Sequence, residues 1–147
     1  MAAHRITEGR SRVLDVAEAN ALLPAVRTLS ARIRRRVAVM QRQQREMLVL
    51  ELVGDVSSAC VNHDLLELVD KSVRYHRLRG QVDALVECFA RMGCAVRDRD
   101  ASHVDFTYLR EDGLALLCWR CGEDSVSHWH HMHEGHAARR PLPDTPR

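Results

Sequence analysis

Two long stretches of this 147-residue chain repeat apolar side chains every three or four positions, and that repeat limits the fold more than any other feature. In the first, Leu22, Val26, Leu29, Ile33, Val37, Met40, Met47 and Leu50 fall on one helical stripe. Asp15 can cap the free N–H groups at the start, and Glu18 three residues on completes a capping-box-like pair. One helix is therefore predicted from Asp15 to about Val53. Pro24 has no N–H to donate and crowds the carbonyl of Asn20, which predicts a kink or a short first segment. Gly54-Asp55 and Ser57-Ser58 end the pattern. A second helix is predicted from His63 or Asp64 to Met92, with Leu65, Leu68, Tyr75, Leu78, Val82, Leu85, Phe89 and Met92 on one side and Gly93 as its stop. Helices of this length with a short connection pack antiparallel as a hairpin.

From Cys94 the apolar period changes from helical to alternating. Val104, Phe106 and Tyr108 or Leu109 form one run and residues 114–119 the next, with Glu111-Asp112-Gly113 as the turn between them. Gly122-Glu123-Asp124 offers another turn, after which Val126 to His130 can return as a third strand. The fold class is thus α+β, a long antiparallel helical hairpin (about 15–93) with a small C-terminal antiparallel β-meander and His-rich segment (about 94–138). Residues 13–138 make one domain, and 1–12 and 139–147 are read as mobile ends, the latter carrying three of the four prolines. Aromatic residues are only 4% of the chain, so the core is built from Leu, Val and Ala, which suits helix packing.

A formal net charge of +2 demands neither nucleic acid nor an anionic membrane as partner, and no apolar run approaches the roughly 18 residues that span a bilayer. The N-terminal residues lack the apolar stretch of a secretory signal, so the protein is expected to be cytoplasmic, with its five cysteines reduced. All basic residues but Lys71 are arginine, which fits a GC-rich bacterial genome. The arginines at 32, 34, 35, 36, 42 and 45 read as a solvated helix face. A lone hairpin leaves apolar surface uncovered, and a homodimer, with a four-helix arrangement among its forms, is the expected assembly.

Chemistry concentrates between His128 and His136, where five of nine residues are histidine and one is glutamate. Neutral imidazole is the commonest transition-metal ligand, and rings this dense are hard to explain by packing, because each has two nitrogens to satisfy. On a strand, His128 and His130 face the same way and Glu134 can complete the donor set. On a helix, His130, His133 and Glu134 share a face. Either geometry retains His130 and Glu134. The His-x-His-x-x-x-Glu spacing also occurs in cupins, but a jelly roll needs about eight strands and this chain is mostly helical. Glu123 and Asp105 are added as ligands or as acceptors that orient an imidazole. Cys118 and Cys121 have Cys-x-x-Cys spacing but no second pair, and read as structural thiols.

Glu18-Ala19-Asn20-Ala21-Leu22-Leu23-Pro24, Val104-Asp105-Phe106, Leu117-Cys118-Trp119-Arg120, Gly122-Glu123, Trp129-His130 and Glu134-Gly135 with Arg139 or Arg140 downstream resemble the bacterial family called domain of unknown function 2203. The resemblance spans roughly residues 13 to 142 and implies a helical hairpin carrying a β-meander, with no agreed activity. It points to Asp105, Glu123, His130 and Glu134 as shared polar positions. His128, His131, His133, His136 and Cys121 depart from the pattern.

The expected function is therefore metal binding through His128, His130, His133, Glu134, Glu123 and Asp105. The ion is a divalent transition metal, iron or zinc favoured over nickel or copper. A non-haem iron or zinc enzyme, a metal-handling accessory that serves a partner enzyme or complex, and a helical scaffold all fit this pattern. No nucleophile–base set, phosphate loop or dinucleotide fingerprint is present.

Overall fold

The computed structural model describes residues 12–54 and 61–143. Helices α1 (Val16–Gly54) and α2 (Val61–Arg91) are followed by strands β1 (Cys94–Val96), β2 (His103–Arg110), β3 (Gly113–Arg120), β4 (His128–His131) and β5 (Arg140–Pro141). A single turn of 3-10 helix, His136–Ala138, lies between the last two strands. The architecture is α+β: a helical hairpin and a five-stranded antiparallel sheet in the order β1-β2-β3-β4-β5.

The expected capping box forms reciprocally. The Glu18 N–H donates to Asp15 Oδ1 at 2.7 Å and the Asp15 N–H donates to Glu18 Oε2 at 2.9 Å, which satisfies two otherwise free donors. Helix α1 runs unbroken through Pro24, so no separate first segment precedes it. The connection expected at Asp55 to Ser58 lies outside the described residues. Cross-helix bonds join Glu46 to Lys71 at 2.7 Å and Arg36 to Gln81 at 2.9 Å, a pairing that only oppositely running helices can make. Gly93, at φ +81°, ends α2 in the left-handed region, and a Cβ there would meet Arg12 Cβ at 3.0 Å.

The meander is longer at both edges than the three strands read from sequence. Arg140 and Pro141 pair with Trp129 and His128, inside the segment taken as a tail, while residues 1–11 and 144–147 lie outside the described residues. A two-residue β-strand carries almost no periodic signal. Alternation along β2 and β3 turns Val104, Phe106, Leu117 and Trp119 toward the helices, where they bury with Leu14, Leu23, Val26, Ile33 and Phe89. Asn20 anchors this layer to the loop before β4, its Oδ1 accepting from the Val126 N–H at 2.8 Å.

The described α1 residues beyond Val37 and α2 residues before Leu85 include no fully buried hydrophobic side chain, so the far half of the hairpin projects from the sheet. Its outer faces expose Leu48, Val49, Leu52, Val53, Leu65, Leu66, Val69 and Val73, the surface on which the expectation of a homodimer rests. No described helix is long and apolar enough to cross a membrane.

Phe89 is fully buried where α2 meets the sheet. Phe89→Ala is expected to destabilise the fold by about 3–5 kcal/mol, through lost transfer energy and a residual cavity. Urea unfolding of the two proteins measures it.

Candidate metal centre

The face of the sheet turned away from the helices carries a group of polar side chains beside the buried Leu116. In the antiparallel register Asp105 lies opposite Cys118, and Leu116 opposite His130, so period-two alternation places Asp105, Cys118, His128 and His130 on this one face. After β4 the chain turns at Glu134 and Gly135, and the 3-10 turn brings His136 back over the same surface.

Four side chains converge there. Asp105, Cys118, His130 and His136 each offer one donor atom, and those atoms all lie within 4.8 Å of one another. His130 Nε2 is 3.5 Å from Asp105 Oδ2, His136 Nε2 is 3.5 Å from Asp105 Oδ1, and His136 Nδ1 is 3.3 Å from Cys118 Sγ. Around a tetrahedral zinc ion with bonds of ~2.0–2.3 Å, neighbouring donors lie roughly 3.3–3.6 Å apart. His136 can bind through only one of its nitrogens, so these contacts are not all of one donor set; taken one atom per residue the donors lie up to 4.8 Å apart and would draw inward to reach that spacing.

Its hydrogen bonding points the same way. His130 Nδ1 lies 2.9 Å from the His131 carbonyl, an acceptor only, so Nδ1 carries the hydrogen and Nε2 is the nitrogen left to face the cluster. That nitrogen faces a carboxylate whose side chain is wholly buried. Among the described residues Asp105 Oδ1, His130 Nε2 and His136 Nε2 are buried without a hydrogen-bond partner. Each such orphan costs about 1–3 kcal/mol, and a cation placed among the three would satisfy them together.

Two arginines flank the group. Arg97 Nε donates to Asp105 Oδ2 at 2.5 Å, fixing the carboxylate. Arg139 pairs with Glu123 and reaches Cys118 Sγ at 3.7 Å. Burial raises the Cys118 thiol above its ordinary range, against the downward pull of Arg139. Burial also holds His136 below the usual imidazole value, with Asp105 pulling upward. Cys94, on the face packed against the helices, is pushed up to about 12 by burial alone, as befits a core thiol.

Of the residues expected from sequence, Asp105 and His130 enter the cluster, and the others lie around it. His128 shares the face but its Nδ1 sits 2.9 Å from Ser127 Oγ. His133 is exposed and stacks on His131, with ring centroids 5.6 Å apart. Glu134 is engaged by both Arg140 guanidinium nitrogens, at 2.6 and 2.9 Å, and accepts from the His131 N–H. Glu123 pairs with Arg139 and accepts from the Arg120 N–H at 2.9 Å. Both glutamates hold the covering segment in place. Cys118 and His136 are the members that sequence reasoning did not select.

The family model described as an uncharacterized conserved protein, DUF2203, matches residues 12–142. The chain belongs to this family. No curated protein and no solved structure matches it. Within this DUF2203 domain, three of the four cluster residues stand in the motif segments that carried the resemblance, and His136 stands just beyond Glu134-Gly135.

Hydrogen bonding to Arg140 and to the His131 N–H brings Glu134 from an ordinary 4.5 to about 2. A carboxylate lowered in the folded state stabilises it above the ordinary value, and that contribution is lost as pH falls from about 4.5 toward 2. Carbon-detected NMR titration is expected to place Glu134 near the lower value, and Arg140→Ala to move it up toward 4.5.

Proposed function

We propose that this protein binds one divalent transition-metal ion, zinc in preference to iron, through Asp105, Cys118, His130 and His136. The observation that carries the reading is the convergence of three buried, unpartnered polar atoms beside a buried thiol. Thiolate, imidazole and carboxylate together suit zinc, which has no redox demand and accepts mixed N, O and S donors.

Four protein donors complete a tetrahedron and leave no open position, which favours a holding role over catalysis. The metal would join three strands' worth of sheet to the segment carrying His136, clamping residues 132–139 in place. That segment is also tied down by the Glu134–Arg140 and Glu123–Arg139 pairs. Arg97 and the His131 carbonyl would serve as orienting partners of Asp105 and His130, as outer groups do in metal sites.

Metal analysis of protein prepared without an affinity tag tests this. The parent is expected to keep one equivalent through dialysis, whereas Cys118→Ser and His130→Ala lose it. Cobalt substitution should give a thiolate-to-cobalt absorption band in the parent and in His133→Ala, and none in Cys118→Ser. A parent free of metal, with no cobalt band and no thermal stabilisation by added zinc, would show that protons rather than a cation occupy the cluster.

A further inference from the structure

A third imidazole stands beside the two of the cluster without belonging to it. His103 lies on β2, two residues before Asp105 and so on the same face of the sheet. Its ring centroid is 4.3 Å from that of His136, whose own centroid is 5.4 Å from His130. Exposure falls along this row: the side chains are 29% exposed at His103, 22% at His136 and 2% at His130. The three rings form a graded path from solvent to the buried donors.

His103 is also prepared in the manner of a metal ligand. Its Nδ1 lies 2.6 Å from Asp98 Oδ2, so Nδ1 carries the hydrogen and donates to the carboxylate, leaving Nε2 as the outward ring nitrogen. Asp98 is itself fixed by the Ser102 hydroxyl at 2.5 Å, the Ser102 N–H at 2.9 Å and the His103 N–H at 3.2 Å. Among the described residues Nε2 makes no hydrogen bond. A carboxylate that fixes the tautomer and aim of an imidazole is the usual outer support of a ligating histidine, yet this histidine lies outside the set of four.

Ion exchange in a closed four-donor site needs a group that bonds to the metal while a resident donor is off. Zinc passes readily through five-coordinate arrangements, and an incoming imidazole at the mouth of the site lowers the cost of releasing one. We propose that His103, oriented by Asp98, is the loading ligand: the ion is first captured at His103 Nε2, shared with His136, and then passed to the buried donors, leaving by the reverse route. This inference rests on the metal-site reading above. It assigns His103 a kinetic role and no place in the final coordination sphere.

Stopped-flow absorbance with cobalt(II) tests it, following uptake by metal-free protein and release to excess chelator. His103→Ala is expected to slow uptake and release alike, by roughly tenfold, while the equilibrium affinity shifts by less than about threefold and the cobalt spectrum is unchanged. Asp98→Asn should slow both rates in the same direction and by less, because the imidazole survives but its tautomer is no longer fixed. Unchanged rates in His103→Ala would overturn the inference and leave the metal site standing. Faster release with weakened affinity would also overturn it, making His103 a resident ligand. A parent that takes up no cobalt would sink both readings together.

Discussion

The eight-residue antiparallel register between β2 and β3 is the constraint on which the rest of the structure depends. Every pair from His103 opposite Arg120 to Arg110 opposite Gly113 is in place, closed by a two-residue turn at Glu111 and Asp112. Gly113, at φ +127°, supplies a backbone conformation that other residues reach only with strain. Because side chains alternate strictly, this register sends Val104, Phe106, Leu117 and Trp119 into the core and Asp105 and Cys118 to the other side. A slip of one residue would bury the carboxylate against Phe89 and Ile33 and turn the tryptophan outward. Core and candidate metal centre are therefore two consequences of one pairing.

That coupling explains how a polar cluster persists in a small domain. Buried acceptors are costly, and a fold this size has little stability to spare. The helix-facing layer fixes the strands independently of the polar face, through the apolar core and the Asn20 to Val126 bond. The opposite face can then hold groups that would not assemble by themselves. Arg97, Arg139, Glu123 and Glu134 complete the frame, each ion pair binding an element that carries a donor or covers one.

The helices were legible because amphipathic periodicity over 30 or more residues is a strong signal, and the Asp15 to Glu18 box marked where α1 starts. Strands β1 and β5, of three and two residues, are too short for alternation to register. The site was half legible. Histidine density drew attention to the chain after His128, but density says nothing about direction, and His133 faces solvent while His136 turns inward. The clue to Cys118 was present in the turn: once Glu111-Asp112 is a two-residue hairpin, counting outward sets Asp105 opposite Cys118 without further information. His136 had no equivalent clue, since its position depends on an irregular segment whose path is decided by the Glu134–Arg140 and Glu123–Arg139 pairs. The same reasoning that placed Glu134 and Glu123 among the ligands recognised their proximity and missed that arginines already engage them.

Charge balance gives the arrangement its final consistency. With a divalent cation, the Asp105 carboxylate and the Cys118 thiolate, the inner cluster would be neutral, and Arg139 outside it is paired with Glu123. Without the cation, the buried thiol keeps its proton, as its upward shift implies, and the Asp105–Arg97 pair carries no net charge either. The proposed filled state and the empty one are both electrostatically tolerable to the fold. The three orphaned polar atoms distinguish them, since only a cation among them would satisfy all three. Under the proposed reading, uptake would be coupled to loss of the Cys118 proton, since sulfur ligates as thiolate, and binding would strengthen with rising pH.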